Sequence, residues 1–160
     1  EIDRRPVRGE DEPFLYGLYA STREMEMEMT GWSEEEKEAF LRMQFQAQTT
    51  DYARNYTAAQ FDLLLCDGVP AGRLYIDRRD GEIRIVDIAL MPAFRNRGIG
   101  TDLLKEIQAE AEAAGKTVTI HVERNNPAMT LYDRLGFVPI GDHGVYYLME
   151  WKPKVPAGTC

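Results

Sequence analysis

Six residues in the middle of the chain, Arg95-Asn96-Arg97-Gly98-Ile99-Gly100, have the make-up of an anion cradle. Glycines at 98 and 100 let the backbone curl closely around a ligand. The first amides of a helix have no intrahelical partner and sit at the positive end of its dipole, and here two arginines flank them. A glycine turn of this kind also serves backbone geometry alone, so the surrounding residues have to decide. Asp87 interrupts an apolar run just upstream, where a charge needs a reason. It is either a proton acceptor or the partner of Arg73 or Arg84.

Other chemistries have little support. The two histidines, His121 and His143, and the two cysteines, Cys66 and Cys160, show no metal-ligand spacing and no disulfide framework, so no metal is expected. No G-x-S-x-G nucleophile turn occurs.

The loop is set by what flanks it. Residues 83–90 read as a strand. Ile99, Leu103, Leu104, Ile107, Ala111 and Ala114 recur three or four apart, which predicts a helix over 99–114 that Gly115 stops. Upstream, residues 2–7 suit a short strand. Acids and Pro13 suit a helix start with Phe14, Leu15, Leu18 and Tyr19 on its buried face. Glu24-Met25-Glu26-Met27-Glu28-Met29 alternates with period two and reads as an irregular connection. Ser33 and Glu36 form a capping box for a long helix reaching about Tyr56, with Phe40, Met43 and Ala47 on its apolar face. Residues 60–66, 71–77 and 82–90 read as three antiparallel strands joined at Asp67-Gly68 and Asp80-Gly81. Residues 117–122 give a strand reached by a crossover. Asn125-Asn126-Pro127 opens a last helix that Gly136 ends, and residues 137–140 and 145–151 close the sheet.

At 160 residues, with 44% apolar and 29% charged, the chain suits one globular domain over 1–152, with a disordered tail at 153–160. A net charge of −8 argues against a nucleic-acid partner and tilts towards a cationic acceptor. No apolar run approaches the roughly 18 residues of a membrane span, so no membrane partner and a cytoplasmic location are expected.

The run R-x-x-G-x-G after a strand ending Leu90-Met91-Pro92 resembles the acyl-CoA pyrophosphate loop of the GCN5-related N-acetyltransferase (GNAT) superfamily. A second motif, Asn125-x-x-Ala128-x-x-Leu131-Tyr132-x-x-Leu135-Gly136-Phe137, resembles that superfamily's signature around its last helix. The resemblance spans the chain and is strongest over 83–150. It implies an α/β (α+β) GNAT fold, a mixed, mostly antiparallel central sheet of about seven strands flanked by about four helices, in the order β-α-α-β-β-β-α-β-α-β-β.

The same resemblance implies acetyl-CoA as cosubstrate and a primary amine as acceptor, on a small molecule or on a peptide or protein. Ile88, Ala89 and Leu90 would pair with the pantetheine arm like an added strand. The pyrophosphate would sit on Asn96, Arg97, Gly98, Ile99, Gly100 and Thr101, with charge from Arg95 and Arg97. Asn125 and Ala128 belong to the second donor motif, with Asn125 at the pantetheine arm. Tyr132 resembles the general acid that protonates the departing thiolate. Asp87 is the first choice of general base, with Glu28, His121 and Glu123 as alternatives. A longer acyl donor over the Met-rich connection, and a non-catalytic acyl-CoA sensor, are the competing functions. The chain is expected as a monomer or, through an exposed sheet edge near its C-terminus, a homodimer.

Overall fold

The computed structural model describes residues 1–154; residues 155–160, with Cys160 and most of the expected tail, lie outside the described residues. Among the described residues seven strands and five α-helices follow one another: β1 Ile2–Pro6, α1 Glu12–Thr22, α2 Glu24–Glu28, α3 Glu34–Asn55, β2 Gln60–Cys66, β3 Val69–Arg78, β4 Glu82–Leu90, α4 Ile99–Ala114, β5 Thr117–Glu123, α5 Met129–Arg134, β6 Val138–Asp142 and β7 Tyr146–Trp151. The sheet order is β1-β2-β3-β4-β5-β7-β6. Only the β4–β5 pair among the described registers is parallel; β1–β2, β5–β7 and β6–β7 are antiparallel. Among the described residues no helix is long and apolar enough to cross a membrane.

Cα packing divides the chain into two compact units, with β3 and β4 contributing to both. The first holds Glu1–Leu74 and Ile88–Arg95. Its core joins Leu15 and Tyr19 of α1, Met27 of α2, Leu41 and Phe45 of α3, and Leu63 of β2. The capping box forms as expected: the Glu36 N–H donates to Ser33 Oγ at 3.1 Å, and the Ser33 N–H donates to a Glu36 carboxylate oxygen at 3.1 Å. Leu41 and Phe45 are the buried residues of α3, while Met43 and Ala47 are exposed, so the buried stripe lies about half a turn from the expected one. A second correction concerns 24–29, which folds as the short helix α2 and raises the helix count from four to five. At about 100° per residue the alternate methionines diverge: Met27 is buried, whereas Met25 and Met29 are 76% and 87% exposed.

The second unit holds Tyr75–Asp87 and the described residues from Asn96 onward. Helix α4 has the expected bounds, buries Ile99, Leu103, Leu104, Ile107 and Ala111, and ends at Gly115 in the left-handed region (φ 69°); Ala114 is exposed. Helix α5 is shorter than expected and begins at Met129, because Asn126 spends its side-chain oxygen accepting from the Ala128 N–H (2.8 Å) in the preceding turn. The β6–β7 turn is tied to the end of β5 by Arg124, whose guanidinium binds Asp142, the Gly144 carbonyl and, at 2.7 Å, the Tyr147 hydroxyl.

Candidate functional site

The turn into α4 is built from two left-handed residues, Asn96 (φ 61°) and Gly98 (φ 80°). Glycine and asparagine are the types that tolerate this conformation, so the sequence sets the curl locally. Asp102 N–H makes the first bond back, to the Gly98 carbonyl at 3.0 Å, and no side chain caps the helix. The amides of Ile99, Gly100 and Thr101 precede that bond. A methyl group added at Gly100 would meet nothing nearer than Leu131 Cδ2, at 3.8 Å, so internal packing does not demand glycine there. Arg97 and Asn96 are exposed.

The strand leading to this turn changes character half-way. The parallel register of β4 with β5 runs Glu82↔Thr117, Ile83↔Val118, Arg84↔Thr119 and Ile85↔Ile120. Strand β4 then continues for five more residues, and burial falls at the same point: Ile83, Arg84 and Ile85 are buried, whereas Val86, Asp87, Ile88, Ala89 and Leu90 are half-buried. At its end the Met91 N–H donates to the Ala71 carbonyl of β3 at 2.8 Å, and the Ala89 carbonyl also turns towards β3, over Gly72. Backbone alternation therefore directs the N–H and C=O of Leu90 to the strand's other edge. Arg95 folds back onto this end, donating from Nε to the Leu90 carbonyl (3.0 Å) and from Nη2 to Ser21 Oγ (3.4 Å).

Tyr132 is 4% exposed on α5, with its ring edge-on to Phe137 at 5.6 Å. Burial, and after it the negative charge of Asp87, push the phenol's pKa well above its usual value, so it is protonated throughout the neutral range. Asp87 and Tyr132 are thus neighbours, as a base and an acid for one reaction would be. His121 is elsewhere. Arg84 Nε donates to Thr119 Oγ1 at 2.8 Å, and its Nη1 approaches His121 Nδ1 at 3.3 Å, so His121 shares the face of Arg84 and Thr119. Alternation puts Asp87 on the opposite face. It likewise removes Arg84, which also contacts Glu82 at 3.4 Å, as a partner of Asp87. Burial first, then the charges of Arg84 and His143, hold His121 below its ordinary pKa.

The model of the "Acetyltransferase (GNAT) family" matches residues 19–137, well over half of the chain. The chain belongs to the acetyltransferase (GNAT) family. Solved structures share the fold at low identity. PaiA N-acetyltransferase from Thermoplasma acidophilum, in complex with coenzyme A, is 20% identical with a TM-score of 0.70, over 95% of this chain and 99% of that one. Ard1 from Thermoplasma volcanium is 18% identical with a TM-score of 0.64, over 96% and 99%. The ribosomal-protein-S18-alanine N-acetyltransferase from Escherichia coli is 19% identical with a TM-score of 0.62, over 100% and 99%.

Within this GNAT fold the expected site residues fall into two sets. Ile88, Ala89, Leu90 and Arg95 belong to the first unit; Asp87, residues 96–101, Asn125, Ala128 and Tyr132 belong to the second. Asn125 is exposed and Ala128 half-buried beside the start of α5. Of the alternative bases, Glu123 lies on the His121 face of β5, and Glu28 is exposed on α2. Two features escaped sequence reasoning. The grip of Arg95 on Leu90 has no sequence signal, since a five-residue separation across a turn fits no periodic pattern. Gly72 had one: an isolated glycine inside a strand pattern marks a close backbone approach. No group of three or more His, Cys, Asp or Glu side chains suited to a metal occurs among the described residues.

Proposed function

We propose that this chain moves an acetyl group from acetyl-CoA to a primary amine by direct attack within a ternary complex. The observation that carries the reading is the half-buried, apolar stretch of β4 beyond its last pair with β5, which runs directly into the glycine turn. An amide-bearing arm can add to such a strand through main-chain bonds. On this reading Ile88, Ala89 and Leu90 take the pantetheine arm, with Asn125 as a further contact beside Ala128. The amides of residues 96–101 take the pyrophosphate, with Arg97 adding charge.

The chemistry follows from the groups present. The amine nitrogen bonds to the thioester carbonyl carbon, and the developing oxyanion is stabilised by a fixed N–H donor, for which Leu90 is the candidate. The C–S bond breaks, the thiolate takes the Tyr132 phenolic proton, and the proton lost by the amine passes to Asp87 directly or through water. The phenol is protonated at neutral pH and so carries the proton that the thiolate takes. The acceptor is a small-molecule amine or an amine of a peptide or protein. The longer-acyl reading draws less support from the methionines, because Met25 and Met29 are exposed while Met27 is buried on the opposite side of α2.

The test is coenzyme A release from acetyl-CoA across a panel of amines, with wild type and Tyr132→Phe. Turnover of the variant should fall about 10²-fold or more while coenzyme A affinity survives. Unchanged turnover would remove Tyr132 from the reaction, and a wild type that binds coenzyme A but acetylates no amine would favour the sensor reading.

A further inference from the structure

The end of β4 is held with unusual closeness. A Cβ built on Gly72 would overlap the Ala89 carbonyl oxygen and lie 3.1 Å from the Ala89 carbonyl carbon and 3.0 Å from Leu90 Cδ2. In a regular antiparallel pair the Cβ stands off the sheet, clear of the neighbouring strand's carbonyl. Here the Ala89 carbonyl lies over the α-carbon of Gly72, and only a residue without a side chain permits it. Gly72 itself is buried on β3. The next link is the Met91 N–H to the Ala71 carbonyl, at 2.8 Å. On the strand's other edge Arg95 Nε holds the Leu90 carbonyl, and Nη2 reaches Ser21 Oγ, which itself donates to the Leu18 carbonyl at 2.7 Å. Arg95 is thereby strung between the last turn of α1 and the last carbonyl of β4.

We propose that Gly72 and Arg95 are positioning residues that hold the end of β4 in the shape the donor arm pairs with, and that Arg95 acts on this backbone instead of on the donor's phosphates. Resting on the donor reading above, this changes the expected role of Arg95. A guanidinium engaged through Nε and one Nη has a fork directed at a carbonyl and a hydroxyl, a geometry that a lysine cannot reproduce. Arg97, by contrast, keeps the role of phosphate charge.

Coenzyme A and pantetheine separate the two roles, since pantetheine has the arm and lacks the pyrophosphate. Each is titrated by amide NMR into wild type, Gly72→Ala, Arg95→Ala, Arg95→Lys and Arg97→Ala. Gly17→Ala serves as control, because a methyl there meets nothing within 4 Å. Gly72→Ala and both Arg95 variants should weaken the two probes by the same factor, about tenfold, the equivalent of one hydrogen bond's geometry. Arg97→Ala should weaken coenzyme A alone. If Arg95→Ala weakens coenzyme A and spares pantetheine, or Arg95→Lys restores coenzyme A binding, Arg95 is a phosphate ligand and the proposal falls. It falls equally if Gly72→Ala folds and binds both probes as wild type does. Should Gly72→Ala not fold, the Arg95→Lys arm decides. A wild type that binds neither probe refutes the donor reading itself, an outcome distinct from all of these.

Discussion

Asp87 and His121 each place a polar group in an apolar strand, and strand parity sends them to opposite faces. The register aligns Arg84 with Thr119, so position 86 of β4 is level with 121 of β5, and 87 is one step on. The proton of His121 also argues for Asp87. Arginine can only donate, so His121 Nδ1 accepts from Arg84 and its proton resides on Nε2. An imidazole with its lone pair so engaged has none left for an amine. Asp87 is instead close enough to the buried phenol for its charge to raise the phenol's pKa, and the proposed function makes it the base. Asp87→Asn should therefore lower turnover about 10²-fold with little change in the KM for acetyl-CoA, whereas His121→Ala should stay within about twofold of wild type. Steady-state kinetics on a single good amine acceptor decide the matter, and a loss for His121→Ala as large as for Asp87→Asn would transfer the base to the other face.

At the scale of elements, the signals that could be read from the chain were those that a single local rule decides. Helix α4 has its expected bounds because a full apolar stripe and a left-handed Gly115 agree. The Ser33 capping box formed because its partners are three residues apart. Helix α2 departs from the expectation because period-two methionines look extended, although five residues beside α1 gain more by burying one methionine in the core than by exposing a strand edge. The shift on α3 has a similar origin: Phe40 and Met43 are as apolar as Leu41 and Phe45, and only the packing of α1 and β2 chooses between the stripes. The end of the β4–β5 ladder is a tertiary property and had no sequence signal. Met27→Ala should cost about 2–5 kcal/mol by leaving a cavity, while Met25→Ala should change stability by less than about 0.5 kcal/mol. Urea denaturation of the two variants checks this. Equal effects would mean that 24–29 does not hold its helical form in solution.

On the scale of the whole molecule, stability against pH has a marked acid contributor in one unit and a marked alkaline contributor in the other. In the first, Asp11 accepts from both terminal nitrogens of Arg5 at 2.8 Å and from the Arg8 N–H at 2.7 Å. The Arg5 hydrogen bonds lead in holding its pKa down to about 2, against an ordinary 3.8. The sign is that of a depressed carboxylate: the contribution is complete above about pH 4 and is lost as pH falls towards 2, amounting to about 2 kcal/mol. In the second unit, Tyr132 has a raised pKa. Its contribution is complete below the ordinary phenol value near 10 and is lost as pH climbs past it, because the unfolded chain ionises first. Each unit also carries one of the two tryptophans, Trp32 in the first and Trp151 in the second, so single-tryptophan variants report on each by fluorescence. Asp11→Asn should flatten the acid limb of urea stability read at Trp32, with Trp151 as the only tryptophan removed. Tyr132→Phe should flatten the alkaline limb read at Trp151 in the chain lacking Trp32. An alkaline limb as steep in Tyr132→Phe as in wild type would mean that the phenol ionises as readily in the folded protein as in the unfolded chain.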